Sequence, residues 1–396
     1  MSDKPGTVTG VLPDLLYSDS ERALSDSLAS LLADRGGVDK ALARIESAQT
    51  YDDKLWQAVA ADLGCAGLLI AERDGGAGAS YREAAAVAEV LGSFVAPVPF
   101  LGSAVVATAA LLSVASGASP EVASGTLLKR MADGGVTAAL TVPFAAAPGS
   151  AFPAPVRVAG MRPGDAATGV ARLRGMVTGV ADALPASVLL VPADGVPHGL
   201  YLVDMAAEGV AKAPVVSLDM TRQLCDLSFD DAPGTLIASG PAASRALDAA
   251  LAAGAGILAA EQIGLAQRCL DMTVAYVKER RQFARPVGSF QGLKHRLADL
   301  WVSVTQARAA SRYAAACLAS GSPDTKVAVA LAKACCSEVA VNAAQECVQM
   351  HGGIGFTWEH PAHLYLKRAK ADSIGFGTAD AHRAALASLV DLPAVP

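Results

Sequence analysis

The 396-residue sequence predicts a mainly α protein with a β domain set into its middle, and three observations carry that prediction. Apolar residues recur at helical spacing from residue 18 to about residue 131. From residue 136 to 240, Val, Pro and Gly become frequent, and short strand-like runs replace the helical period. From residue 242 onward the helical period returns on long, alanine-rich stretches. Domains over residues 1–131, 132–240 and 241–396 follow.

In the first domain Trp56, Val59 and Leu63 share a helix face, and Gly64 ends the run. A short apolar run at 66–70 leads into Gly75-Gly76-Ala77-Gly78. No Lys-Ser/Thr follows that loop and no strand-to-helix context surrounds it, so it reads as a turn and not a phosphate cradle. A helix over 81–91 is stopped by Gly92, Pro97 and Pro99. In the second domain the runs 136–142, 156–158, 187–191, 200–203, 210–216 and 224–229, separated by turn residues, predict an antiparallel barrel or sandwich. Between the last two, Asp219-Met220-Thr221-Arg222 either touches a ligand or forms a turn held by the Asp and Thr side chains.

In the third domain Ser244 reads as the N-cap of a helix reaching about residue 278. That helix is apolar on nearly every face, so it belongs in a bundle core. Further helices are expected over 293–318, from Pro323 to about 351, over 364–371 and over 379–390.

Hydrophobic residues make up 52% of the chain and charged residues only 18%, so extensive surface must be covered between domains or subunits. An oligomer is expected. The net charge of −6 argues against a nucleic-acid partner or a polybasic membrane contact. Seven scattered cysteines without a CxxC pair read as buried, reduced thiols. Residues 1–14 show no basic-then-apolar leader. The stretch 249–260 is too short to span a bilayer, and prolines break 137–156. A soluble, cytoplasmic protein with no membrane contact is the expectation.

The chemistry-bearing stretch is Glu279-Arg280-Arg281-Gln282-Phe283-Ala284-Arg285-Pro286-Val287-Gly288-Ser289-Phe290-Gln291. Three guanidiniums beside a helix end can fork onto phosphate oxygens, and the phenylalanines offer flat faces to a ring system. A second run, Gln349-Met350-His351-Gly352-Gly353-Ile354-Gly355-Phe356, lets a backbone approach a ligand closely or simply caps a helix. His360 and His363 flank Pro361 and have no evident third ligand, so they read as structural and no metal is expected.

This order of domains, with Arg280-x-Gln282-Phe283, Phe290-Gln291, His295 and Gln349-x-x-Gly352-Gly353-x-Gly355, closely resembles the acyl-CoA dehydrogenase family over essentially the whole chain. The resemblance implies an N-terminal helical domain, an antiparallel β-barrel and a C-terminal four-helix bundle. It also implies FAD lying across a subunit boundary of a tetramer. Arg280 would pair with the pyrophosphate, Gln282, Phe283 and Thr378 would line the cofactor, and Phe290, Gln291 and Leu293 would pack its adenosine end. Gln349, Gly352 and Gly353 would approach the same FAD from a neighbouring subunit. The substrate is then an acyl-CoA thioester and the electron acceptor an electron-transfer flavoprotein. In the β domain the family's Thr-Glu-Pro motif, with its following Gly-Ser, appears only as Thr141-Val142-Pro143-Phe144.

The reaction needs a carboxylate to take the α-proton of the thioester. Most of the family carry it in Tyr-Glu-Gly-Thr. The matching stretch here is Gly375-Phe376-Gly377-Thr378, and the alternative position on the first bundle helix is Gly254. Glu261 lies two turns beyond Gly254 and is either a displaced base or a structural residue bonded to a neighbouring helix; Asp372 and Asp380 also flank Phe376. Three functions stay open: a subunit whose base comes from a homologous partner in a mixed tetramer, as in relatives acting on steroid side-chain thioesters; a self-sufficient homotetramer using a residue such as Glu261; or a flavin monooxygenase or oxidase.

Overall fold

The structure is a computed structural model that describes residues 13–47, 51–116, 122–153, 155–160 and 170–392. Most of residues 1–14, the stretch read for a leader pattern, lies outside the described residues.

Helices α1 (Asp19–Arg35), α2 (Val38–Ile45), α3 (Asp53–Gln57), α4 (Tyr81–Ser93), α5 (Thr108–Ala115) and α6 (Val122–Ala132) build the first domain. The starts of α1 and α4 are set chemically. Ser18 with Glu21, and Ser80 with Glu83, form capping boxes that satisfy the first free backbone N–H groups. A π-helical segment, Phe100–Ala107, runs fully buried into α5. The loop at Gly75–Gly78 is a turn folded back on Gly67 and Ile70 through backbone hydrogen bonds.

The middle domain contains β1 (Ala138–Leu140), β2 (Val156–Gly160), β3 (Val170–Ala181), β4 (Val188–Ala193), β5 (Gly199–Asp204), β6 (Val210–Val215) and β7 (Leu224–Ser239). They form one seven-stranded sheet in the order β1-β4-β5-β7-β3-β2, with β6 also on β7. The expected antiparallel closed barrel is corrected on two counts. β1 pairs parallel with β4, which the long connection through β2 and β3 permits. The far edge returns to β4 only at a single bridge, Arg157 to Asp194, so no continuous ladder closes the sheet. Pro192 of β4, two residues before Asp194, has no N–H to extend that bridge.

The C-terminal helices are α7 (Gly240–Glu279), α8 (Gln291–Ser320), α9 (Thr325–His351), α10 (Ala362–Ile374) and α11 (Ala379–Leu389), with a two-residue hairpin β8 (Arg281–Gln282) and β9 (Arg285–Pro286) between α7 and α8. Helix α7 starts at Gly240 and not at Ser244. Ser239 stands at its N-cap and a proline occupies its first turn, while the Ser244 hydroxyl bonds back to the Gly240 carbonyl. The stretch 249–260 is thus part of a 40-residue helix. By length and composition this helix and Thr325–Phe356 could cross a membrane, but 89% and 61% of their most apolar windows are buried inside the protein. Glycines let α7 press on α4: a Cβ on Gly264 would fall 1.7 Å from the Glu89 carbonyl oxygen. All seven cysteines are free, and only Cys335 is not fully buried.

Candidate active site

The bundle presents an outward face at the end of α7. Arg280 caps that helix, and Arg280, Arg281 and Gln282 are exposed. Phe283 and Ala284 adopt φ of 53° and 61°, a left-handed pair that turns the β8–β9 hairpin. The turn holds the Phe283 ring 85% exposed and edge-on to Phe290 at 6.0 Å. Arg285 is spent on this packing, its guanidinium lying 3.8 Å over the Phe290 ring. Gln291 is exposed and Leu293 half-buried beside them.

Tyr276, one turn before Arg280, stacks on His351 at 4.4 Å, which brings the end of α9 to the same place. Gln349, Gly352 and Gly353 are exposed there. Gly352 has φ +63°, and a Cβ on either glycine would meet nothing within 4 Å. The guanidinium and the bare backbone therefore belong to one face of one chain. Spacing along the sequence could not reveal this, because a ring stack between two helices decides it. Thr378 lies elsewhere. It caps α11, accepting from Ala381 N at 3.3 Å, and Lys333 of α9 bonds the adjacent Gly377 carbonyl. Gln349 stands roughly 24 Å further along α9 than Lys333, at 1.5 Å per residue.

That second region is the inner end of the site. Phe376, with φ 51°, is buried against Gly254, where a Cβ would fall 2.8 Å from the ring. The two places at which the family's base could stand are thus in contact, and a benzyl group fills both. Phe144 closes the other side, edge-on to Phe376 at 5.5 Å, and its carbonyl accepts from Phe376 N at 2.7 Å. Sequence reading missed Phe144 as a wall of the site; its replacement of a small residue in the strand motif was the available signal. The remaining cavity, about 20 Å³ among Leu101, Leu140, Val142, Phe144 and Phe376, has room for one water. A separate cavity of about 330 Å³, lined by Gly149, Asp248, Lys326 and Leu389, stops at His382, whose ring N–H donates to the Phe376 carbonyl at 2.8 Å.

Beside Phe144 lies a buried ion-pair network. Glu261 Oε1 accepts from Arg222 Nη2 and from Arg368 Nη1, both at 2.5 Å. Arg368 also donates to Asp219 at 2.6 Å and to the Thr221 hydroxyl at 2.7 Å, while Arg222 Nε donates to Asp372 Oδ1 at 3.3 Å. Asp219-Met220-Thr221-Arg222 is thus a turn held by its Asp and Thr that also docks the β domain onto α7 and α10. Burial pushes the Glu261 carboxyl up, but the two guanidiniums outweigh it and hold the group below its ordinary range. A carboxylate so paired is a poor proton acceptor, and Glu261 is structural.

Burial, then the neighbouring Glu261 charge, pushes Asp372 up to about 7, and its Oδ2 has no partner. A carboxyl raised in the folded state stabilises fully below its unfolded value and loses that contribution as pH rises through about 7. Asp372→Asn is expected to flatten the decline in thermal stability between about pH 4 and 7, read from melting curves across that range; an unchanged slope would remove Asp372 as its source.

Lys333, fully buried on α9, donates to Ser337 at 2.8 Å and to the Asp372 carbonyl at 2.9 Å, so both ends of the turn carrying Phe376 hang from one ammonium. Burial lowers it to about 8. A lone lysine in the apolar run of α9 was its only mark in the sequence. His360 lies tilted against His351, whereas His363 stacks on Trp358, so the two rings take different partners.

Known proteins are similar to this chain over most of its length. The family models for the acyl-CoA dehydrogenase N-terminal and C-terminal domains match residues 18–135 and 244–390. The acyl-CoA dehydrogenase IpdE2 of Mycobacterium tuberculosis is 35% identical over 352 residues, 89% of this chain and 91% of that protein. FadE27 of the same organism, also an acyl-CoA dehydrogenase, is 32% identical over 84% of this chain and 86% of its own length. Among solved structures, a variant of the Tcur3481–Tcur3483 steroid ACAD superposes with a TM-score of 0.80 at 28% identity, covering 94% of this chain and 98% of that one. The ChsE4–ChsE5 complex from Mycobacterium tuberculosis shares the fold with a TM-score of 0.81, over 97% of this chain and 100% of the other. The chain belongs to the acyl-CoA dehydrogenase family.

Proposed function

We propose that this chain is the baseless subunit of a mixed acyl-CoA dehydrogenase tetramer, in which a homologous chain supplies the carboxylate for α,β-dehydrogenation of an acyl-CoA thioester. One observation carries the reading: the Phe376 ring lies on Gly254, so neither position that could hold the base can accept a proton. Glu261, the displaced-base alternative, is held between two guanidiniums. Two relatives support mixed assembly, since both are named as pairs of chains, and one of them is named a steroid enzyme. A bulky, ring-containing acyl group is the corresponding substrate class, and an electron-transfer flavoprotein is the acceptor we assign.

FAD is the cofactor, and the outward face fits it. Arg280 would hold the pyrophosphate, Phe283 and Phe290 offer flat faces, and Gly352 and Gly353 leave backbone bare for close approach. When bound, FAD supplies the acceptor for the β-hydride. This chain's part is to bind and orient: the β8–β9 hairpin fixes where the guanidinium stands, and the Tyr276–His351 stack fixes where the glycines stand.

Gly353→Leu in the mixed assembly tests this role. The position is exposed and its φ is ordinary, so stability should change by no more than about 0.5 kcal/mol. A side chain would occupy the cradle, and flavin retention should fall at least tenfold, measured as flavin absorbance after dialysis. Full retention would contradict the assignment of this face.

A further inference from the structure

We propose that Lys333 is a pH-operated latch among three helices: as an ammonium it clamps the end of α10 to the turn that opens α11, and on losing its proton it releases the Gly377 carbonyl alone. The inference stands apart from the function proposed above, since it does not depend on which chain supplies the base.

The donor count carries it. Lys333 is fully buried, and its ammonium donates to the Ser337 hydroxyl at 2.8 Å, the Asp372 carbonyl at 2.9 Å and the Gly377 carbonyl at 3.3 Å. Three N–H groups meet three acceptors, and all three acceptors are neutral. A neutral amine keeps two N–H groups and gains a lone pair, so it cannot serve all three. The bond to be lost is the longest, to Gly377. Ser337 lies one turn along the same helix, and the Asp372 carbonyl belongs to the last turn of α10. The lone pair then faces the Gly377 oxygen and repels it.

The surroundings confine the change to that one point. The turn of Gly375–Thr378 has two other ties, from Phe376 N to the Phe144 carbonyl and from the His382 ring to the Phe376 carbonyl. The first is backbone and does not titrate. Burial holds His382 below its ordinary range, so it is already neutral in mild alkali. The groups facing Lys333 can be named element by element. α10 presents Asp372, itself bonded to Arg222, and α11 presents His382. α7 presents the neutral Gln262 amide, bonded to Ser337 at 3.2 Å, and α9 itself presents Cys336, whose thiol burial pushes well up. Burial lowers Lys333 to about 8, against the opposing pull of the Asp372 and Cys336 charges. Asp372, raised to about 7, has ionised before Lys333 gives up its proton.

The global sign is opposite to the local one. A lysine whose folded value is lowered leaves the unfolded chain binding more protons between about pH 8 and pH 10, so its contribution to stability improves as pH rises through that window. The latch opens at Gly377 while the fold as a whole gains.

Both signs are measurable on the full chain. The sequence has four Gly–Thr bonds, at residues 6–7, 125–126, 234–235 and 377–378. Carbonyl-labelled glycine and nitrogen-labelled threonine therefore give four carbon-detected carbonyl–nitrogen signals, and Thr378→Ser identifies that of Gly377 by its loss. The Gly377 carbonyl signal should move with a midpoint near pH 8, while that of Gly234, on β7, stays still. In Lys333→Met it should rest at its alkaline position at every pH. The folding constant of the unsubstituted chain, from denaturant melts, should rise at least tenfold relative to Lys333→Met between about pH 8 and pH 10. A Gly377 signal indifferent to pH, a midpoint that survives Lys333→Met, or parallel stability profiles for the two chains would each overturn the latch. Should Lys333→Met not fold, the Gly377 titration of the unsubstituted chain decides alone: a midpoint near pH 8 supports the latch and a flat profile overturns it.

Discussion

Phe376→Glu, which restores the family's base at its usual position, is expected to yield no dehydrogenase. The substitution places a carboxyl against Gly254 and the Phe144 ring at a site 4% exposed. Lost aromatic packing alone costs on the order of 3–5 kcal/mol. Desolvation would raise the carboxyl's pKa and leave it protonated when a base is required. More fundamentally, the proton to be removed has nowhere to sit. With about 20 Å³ beside the ring there is no chamber for a thioester, and Phe144 remains in the way. The expected observations are a strongly lowered melting temperature and no acyl-CoA-dependent dye reduction by the variant alone. Phe376→Ala serves as the control: it should be destabilised similarly without the buried charge. Turnover by Phe376→Glu in a single-chain preparation would show that the base was all this chain lacked, and would remove the sealed-chamber account.

The bundle was legible because it is long and periodic. α8, α9, α10 and α11 fall within a few residues of their expected spans, and the glycine run after α9 is where its spacing put it. The start of α7 was misread because a serine is a good cap in general, whereas here Pro241 had already opened the helix. The β domain was read less completely. β3 was not expected at all, and β7 runs ten residues past the expected end through Asp230, Asp231, Pro233 and Gly234. Those residues signal a turn. The strand survives them because Asp231, at φ 60°, forms a bulge opposite Leu173 and Arg174.

At the site, the absence of a base could be read directly, and Glu261 could be suspected of being structural because an unpaired carboxylate on so apolar a helix is costly. Its partners could not be found from sequence. Arg222 and Arg368 come from two other elements, and only the packing of the β domain on α10 brings them to it. The same holds for Phe144 against Phe376, a contact between distant segments. Residue types were visible, but which of them share a space was not.

The central claim is that proton abstraction in this assembly belongs to another chain, and a rate comparison tests it most directly. Acyl-CoA-dependent dye reduction is measured with excess FAD for this chain alone, and for the same amount of it co-purified with a homologous, glutamate-bearing chain. A positioned general base contributes about 10²–10⁴-fold, so a gap of at least that size is expected, with the single chain at the no-enzyme background. Comparable rates from the two preparations would mean that this chain holds a working base and an open chamber of its own, and would contradict the claim.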